Sequence, residues 1–179
     1  ANRPGYAVTW AVGDLDGDVG TPNGHPEIVG FHRVGLAGNY DPLVPVAFSV
    51  NTSVPGKPKL VKKWEGRDCS NGKAVPVWAN LGNLAISLKD LDNDGKPEVL
   101  SDFFVFDYQG CLLNKTVPAL NNGIGELGVI STYADVDLDG RPELVRYDGI
   151  WAWDSTGREW VRPTWAKASA DLTAAYTAI

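Results

Sequence analysis

Methionine is absent from this chain of 179 residues, and histidine and cysteine occur only twice each. Without an initiator methionine, the first residue is expected to arise by processing of a longer precursor, which favours a mature secreted or cell-surface product. No apolar run approaches the roughly 18 residues that a membrane helix needs, and the N-terminus ANRPGYAV lacks the regions of a signal peptide. We therefore predict no membrane span and an extracellular location.

Common catalytic signatures are missing as well. The sequence contains no G-x-S-x-G, no H-E-x-x-H, no phosphate-binding loop and no C-x-x-C. Its two histidines, His25 and His32, lie beside an acidic segment, where a structural or exposed role is more frequent than a catalytic one. Basic residues form no stripe with interleaved aromatics, which argues against a nucleic-acid partner. A non-enzymatic protein is the favoured interpretation.

The two cysteines leave a choice open. Cys69 and Cys111 allow one disulfide, which would fit an oxidising compartment, or they are two buried thiols. Spacing alone does not decide between the two.

Negative charge is concentrated in three short segments. The formal net charge is −6, and 12 of the 22 acidic residues lie in the segments 14–29, 90–100 and 135–145. They are Asp14, Asp16, Asp18 and Glu27; Asp90, Asp92, Asp94 and Glu98; and Asp135, Asp137, Asp139 and Glu143. One divalent cation in each segment would neutralise the formal charge of the chain.

Short runs rich in Val, Ile, Phe, Tyr and Trp surround each acidic segment, with Gly, Pro, Asn and Asp between them. This pattern is typical of antiparallel β-strands in a meander. We predict an all-β chain of three units with four strands each, at about residues 5–66, 82–116 and 128–165. The 45 residues from Asp90 to Asp135 fit the length of one propeller blade. The tail at about 172–179, LTAAYTAI, fits either a helix or the first strand of a further unit.

The alternate aspartates predict a calcium site. Three carboxylates at positions one, three and five of a loop repel one another unless a cation lies between them, and hard oxygen ligands favour Ca²⁺ over softer metals. Gly95 and Gly140, at position six, permit the sharp turn that such a loop needs. The backbone carbonyls at position seven and the glutamates at position nine complete the predicted shell, namely Lys96, Arg141, Glu98 and Glu143.

Two alternatives compete with the calcium interpretation. An EF-hand needs flanking helices and a bidentate Glu at position twelve, but Ser101 and Arg146 stand there and the flanks are strand-like. Solvated acidic turns without a metal are the other alternative. The first segment is the least regular, because Val19 replaces the glycine and five extra residues precede Glu27. We therefore expect its ion to be weaker or absent.

The repeated motif D-x-D-x-D-G-x-P-E, followed by an apolar pair and an aromatic hairpin such as GIWAWDSTG, resembles the FG-GAP/VCBS repeats of integrin-α-like β-propellers. The resemblance covers nearly the whole chain. It implies four-stranded blades whose first loop binds Ca²⁺ through the aspartates and glutamate of the second and third segments. In the first segment the insertion departs from the family pattern.

Blades of this kind imply a binding or adhesion module with a glycan or protein ligand. A carbohydrate-active enzyme such as a polysaccharide lyase, and an architectural subunit of an extracellular assembly, are the alternatives. Three blades and one extra strand do not close a ring of the usual four to eight blades. Remaining blades are therefore expected from missing sequence, another chain or self-association. The seven Trp residues suit either packing between blades or a sugar-stacking surface.

Overall fold

The computed structural model describes residues 10–21, 24–33, 43–52, 56–75, 86–101, 103–114, 132–146 and 149–169. This part of the chain is built from short antiparallel strands, which confirms the predicted all-β class. Within these residues no helix has the length and apolar character needed to cross a membrane. The further strand predicted at about 172–179 lies outside the described residues.

Three meander sheets and one small hairpin follow one another along the chain. The first sheet contains β1 (Ala11–Gly13), β2 (Glu27–Arg33), β3 (Leu43–Asn51) and β4 (Lys59–Glu65). A hairpin of β5 (Arg67–Asp68) and β6 (Lys73–Ala74) leads to the second sheet, β7 (Ser87–Lys89), β8 (Glu98–Ser101) and β9 (Phe104–Phe106). The third sheet contains β10 (Thr132–Ala134), β11 (Glu143–Arg146), β12 (Gly149–Asp154) and β13 (Glu159–Val161), and a 3₁₀ helix follows at Thr164–Ser169.

The second sheet corrects the prediction of four strands in every unit. Where a fourth strand was expected, Leu112 makes a single bridge to Phe106. Two backbone bonds accompany the bridge, from the Asp107 N–H to the Cys111 carbonyl at 2.9 Å and from the Leu113 N–H to the Val105 carbonyl at 2.8 Å. The side chain of Asn114 then takes over, since its amide oxygen accepts from the Val105 N–H at 2.7 Å and its amide nitrogen donates to the Phe103 carbonyl at 2.9 Å. A side chain that satisfies the edge of β9 leaves less backbone for a regular strand to pair with.

Successive sheets pack face to face, and β8 shows this most clearly. Its neighbouring residues Val99 and Leu100 point to opposite sides, as strand geometry requires. Val99 joins a cluster with Val29 and Trp64 of the first sheet, whereas Leu100 joins a cluster with Leu144 of the third sheet. The second sheet is therefore covered on both faces.

Tryptophans of the fourth strands contribute to both interfaces. The Trp64 indole N–H donates to the Tyr108 carbonyl at 2.8 Å, and the Trp160 indole N–H donates to the Phe103 carbonyl at 2.9 Å. Both rings are buried between sheets, where the indole nitrogen is hydrogen-bonded and the apolar ring surface is removed from water. By contrast, Trp10 and Trp165 are exposed. Trp78 lies outside the described residues.

A disulfide ties the small hairpin to the second sheet. Cys69 and Cys111 are bonded, with their Cα atoms 5.3 Å apart. Next to the bond, Arg67 and Cys111 form a parallel bridge, in which the Arg67 N–H donates to the Gly110 carbonyl at 2.9 Å. The choice that spacing left open is thus resolved in favour of the disulfide.

Candidate metal centres

Each acidic segment forms the loop that joins the first two strands of its sheet. The glutamate opens the second strand and lies opposite the last residue of the first strand. These pairs are Gly13 with Glu27, Lys89 with Glu98, and Ala134 with Glu143. The five extra residues of the first loop therefore do not displace Glu27, which lies in the same register as the other two glutamates.

The three glutamates make the same hydrogen bond. Each is buried, and its Oε2 atom accepts from the backbone N–H at loop position two. The distances are 2.9 Å for Leu15 to Glu27, 2.8 Å for Leu91 to Glu98 and 2.7 Å for Val136 to Glu143. One oxygen of each glutamate is thus fixed to its own loop, and the chain holds the carboxylate at a constant place.

The first aspartate of each loop also has a constant role. One of its carboxylate oxygens accepts from the N–H at position six, which folds the loop back over position one. The distances are 3.1 Å for Val19 to Asp14, 2.8 Å for Gly95 to Asp90 and 3.0 Å for Gly140 to Asp135. The three loops therefore share a hydrogen-bonded frame even where their sequences differ.

Backbone conformation explains the glycines. Gly95 and Gly140 have φ values of 85° and 91°, in the left-handed region that favours glycine. This confirms the predicted sharp turn at position six of the second and third loops. Position four is left-handed in all three loops, with φ values of 76° for Gly17, 60° for Asn93 and 63° for Leu138. In the first loop Val19 occupies position six, and the second left-handed residue is Gly20 at position seven, with φ at 102°, so the first loop departs from the other two after position four.

Carboxylate oxygens converge in all three loops. In each group the oxygens lie within 4.8 Å of one another, a spacing that allows them to surround one ion. The groups are Asp14, Asp16 and Asp18; Asp90, Asp92 and Asp94; and Asp135, Asp137 and Glu143. Of the predicted side-chain ligands, Glu27, Glu98 and Asp139 fall outside these groups. Hard oxygen donors in this number fit the chemistry of Ca²⁺.

The residues at position seven also stabilise their loops through their backbone N–H groups. Their N–H groups donate to the position-five aspartates, from Lys96 to Asp94 at 2.7 Å and from Arg141 to Asp139 at 2.8 Å. These bonds hold the position-five side chains beside the turn. The carbonyls of Lys96 and Arg141 remain predicted metal ligands.

Electrostatics of the second and third loops favour a bound cation. Burial, together with the charges of Asp92, Asp90 and Asp94, raises the pKa of Glu98 to about 7, although its bond from Leu91 acts in the opposite direction. Burial and the neighbouring aspartates likewise raise the pKa of Glu143. A carboxyl group that is held among like charges resists ionisation unless a cation compensates.

The first loop contains a cation of its own, which the sequence did not reveal. The Lys63 ammonium of β4 donates to Asp16 Oδ2 and, at 2.9 Å, to Glu27 Oε1. Burial alone would lower the pKa of Lys63, but the hydrogen bonds to Asp16 and Glu27 outweigh burial and raise it. Of the three loops, only the first has an ion pair among the described residues.

Two oxygens of the first loop are buried without a hydrogen-bond partner, Oδ1 of Asp16 and Oδ1 of Asp18. Desolvation and the charges of Asp16 and Glu27 raise the pKa of Asp18. The loop borders an open polar cleft of 530 Å³. Its lining includes Asp18, Glu27, Lys63, His25 and Thr52, and a 3.1 Å hydrogen bond joins His25 Nε2 and the Thr52 hydroxyl.

Comparison with known proteins adds no assignment. No protein-family model matches this sequence, and no curated protein or solved structure matches it at a significant level.

Proposed function

We propose that the chain is a calcium-stabilised segment of a β-propeller, of the FG-GAP/VCBS kind, that binds a glycan or protein ligand outside the cell. One observation carries the proposal. Three acidic loops share one hydrogen-bonded frame, and each lies at the same place in a meander sheet. Solvated turns without a metal would not need a buried glutamate held in the same way three times.

Calcium is assigned to the second and third loops. Their proposed ligands are the three aspartates and the glutamate of each loop, with the carbonyl at position seven. In the second loop Asp90, Asp92 and Asp94 already converge, and Glu98 is fixed close by through its bond from Leu91. An ion there offsets the repulsion among four carboxylates, and its binding energy adds to the stability of the fold.

Face-to-face packing of the sheets supports the propeller architecture. The interior of the described chain has two layers of side chains, one on either side of the second sheet. The first strands of neighbouring sheets also approach closely, since a Cβ added at Gly13 would lie 2.7 Å from Leu88 Cδ1. Adjacent inner strands and stacked meanders are the arrangement of blades around an axis.

Further blades are proposed beyond the third sheet. At loop position two, Leu15 and Leu91 are 0% and 1% exposed, because each packs into the layer between its own sheet and the next. The equivalent Val136 of the third loop is 42% exposed. An apolar side chain that is buried in two copies and exposed in the third suits a covering blade, supplied by additional sequence, another chain or self-association.

The disulfide supports an extracellular location, because such bonds persist in oxidising compartments. Ligand binding is supported by the polar cleft beside the first loop and by exposed aromatic surface. The Trp10 ring lies against Gly30, where a Cβ would approach it to 2.3 Å, and its other surface is exposed. An exposed aromatic ring that rests against a strand suits stacking against a sugar.

The test is native mass spectrometry of the purified chain before and after chelation. We expect two calcium ions per chain, and the Asp137→Asn variant should carry one ion and unfold at a lower temperature in calcium. Glu159→Gln, which removes an exposed charge on β13, serves as the matched control and should retain both ions. Unchanged metal content in Asp137→Asn would refute the assignment at the third loop.

Ligand binding needs a separate measurement. Saturable binding to an array of glycans and extracellular proteins, without change to the ligand, is the expected result. Conversion of a polysaccharide to unsaturated products would instead support the lyase alternative.

A further inference from the structure

We propose that Lys63 is a built-in counter-ion that takes the place of calcium at the first loop, so that the chain binds two ions and not three. The inference rests on the calcium proposal for the second and third loops. It assigns to the first loop a different way of compensating the same cluster of acids.

A β-bulge directs Lys63 to the loop. Along the ladder between β3 and β4, Ala47 pairs with Trp64 and Phe48 pairs with Lys62, so Lys63 is the extra residue between them. A bulge turns the extra residue away from the regular alternation of the strand. No such shift of register occurs between β12 and β13 or in the described part of the second sheet.

Lys63 occupies the oxygens that a calcium ion would need. Of the two Glu27 oxygens, Oε2 is bound to Leu15 N–H and Oε1 to the ammonium. Asp16 Oδ2 also binds the ammonium. Backbone bonds to the first aspartate do not distinguish the loops, because both oxygens of Asp14 and both oxygens of Asp90 accept from N–H groups. The difference is the ammonium, which brings a positive charge to Asp16 and Glu27 and takes one oxygen of each from the six to eight ligands that Ca²⁺ needs.

The buried position of Glu27 makes this pair important for folding. Glu27 is 2% exposed, and a buried charge that loses its partner destabilises the protein strongly. Lys63 is tethered to the same sheet and is always present, whereas calcium must be captured from solution. The unpartnered Oδ1 atoms of Asp16 and Asp18 are the oxygens that an ion would recruit once the ammonium is removed.

The experiment counts calcium in Lys63→Met and in the control Lys62→Met, whose side chain pairs with the exposed Glu65 instead. We expect two ions in the wild type, two in Lys62→Met and three in Lys63→Met. With chelator present, Lys63→Met should have a lower melting temperature than the wild type, and excess calcium should reduce that difference. If Lys63→Met folded and still bound two ions, the proposal would be wrong.

A second variant covers the case in which Lys63→Met does not fold. Asp18→Asn leaves both contacts of the ammonium in place, so it should retain two ions if Lys63 occupies the loop. Loss of one ion from Asp18→Asn, or three ions in the wild type, would contradict the role of Lys63 while leaving calcium at the other loops intact. A wild-type chain without calcium would refute both proposals.

Discussion

The effect of Glu98→Gln on the stability of the protein should have opposite signs with and without calcium. In the metal-free protein the pKa of Glu98 is raised to about 7, by burial first and then by Asp92, Asp90 and Asp94. A group whose folded pKa is raised contributes stability below its unfolded pKa, near 4.5, and loses it as the pH rises through 7. Gln retains an acceptor for the Leu91 N–H but cannot ionise.

The size of this change in stability follows from the pKa shift of Glu98. A change from 4.5 to about 7 corresponds to at most about 3 kcal/mol, and solvent screening near an open loop reduces this to roughly 1–2 kcal/mol. With chelator at pH 8, Glu98→Gln should therefore be more stable than the wild type by that amount. At pH 4 the two proteins should unfold together. In excess calcium the variant should be the less stable one, because it lacks a charged ligand.

Thermal and urea unfolding at pH 4 and pH 8, with chelator and with calcium, measure these differences. Glu159→Gln is the control for loss of an exposed carboxylate, and its difference in stability from the wild type should change with neither pH nor calcium. If calcium left the stability difference between Glu98→Gln and the wild type unchanged, Glu98 would not be a ligand. If the variant were not stabilised at pH 8 in chelator, the argument from the buried charge would be wrong.

Three further changes test the loops and the disulfide. Gly95→Ala should lower the free energy of unfolding by about 1–2 kcal/mol, because Gly95 has a φ of 85°, which is unfavourable for Ala. Nothing lies within 4 Å of the added Cβ, so the loss would come from the backbone alone. An unchanged denaturation midpoint would contradict this. Leu138→Asn should raise stability by up to about 1 kcal/mol, since Leu138 has a φ of 63° and is 85% exposed; a lower midpoint would refute the reasoning. Reduction of Cys69–Cys111 should cost about 2 to 5 kcal/mol, as measured by unfolding with and without reductant; coincident curves would count against it.

Much of the fold was predictable because the strands of this chain carry local signals. Apolar runs and turn residues identified the meanders, and the position of Glu98 directly after Pro97 marked the start of β8. The missing fourth strand of the second sheet was not predictable in this way. It depends on the Asn114 side chain reaching Phe103 and Val105, which only tertiary contact determines. The β5–β6 hairpin likewise depends on its disulfide and on pairing with Cys111.

The candidate metal sites were likewise predictable from the sequence only in part. Alternate aspartates and the glycine at position six were visible in the sequence, and the loop frame around them followed. The insertion before Glu27 suggested a weaker first site, but the structure returns Glu27 to its common register. The cation that the structure places at the first loop is Lys63, 47 residues from Asp16 along the chain, and on our proposal it takes the place of calcium there. A bulge between β3 and β4 has no signal in KLVKKW, where the lysines read as ordinary exposed residues.

The loops also differ in what a bound ion would stabilise. At the second loop, the Leu91 N–H binds Glu98 while the Leu91 side chain packs in the layer between the second and third sheets. An ion that orders this loop therefore also orders the contact between two sheets. At the third loop, Val136 makes the same backbone bond, but its side chain packs in no such layer of the described chain and the residue is 42% exposed. A calcium ion there would stabilise one hairpin, and it would order a contact between sheets only if another blade covered Val136.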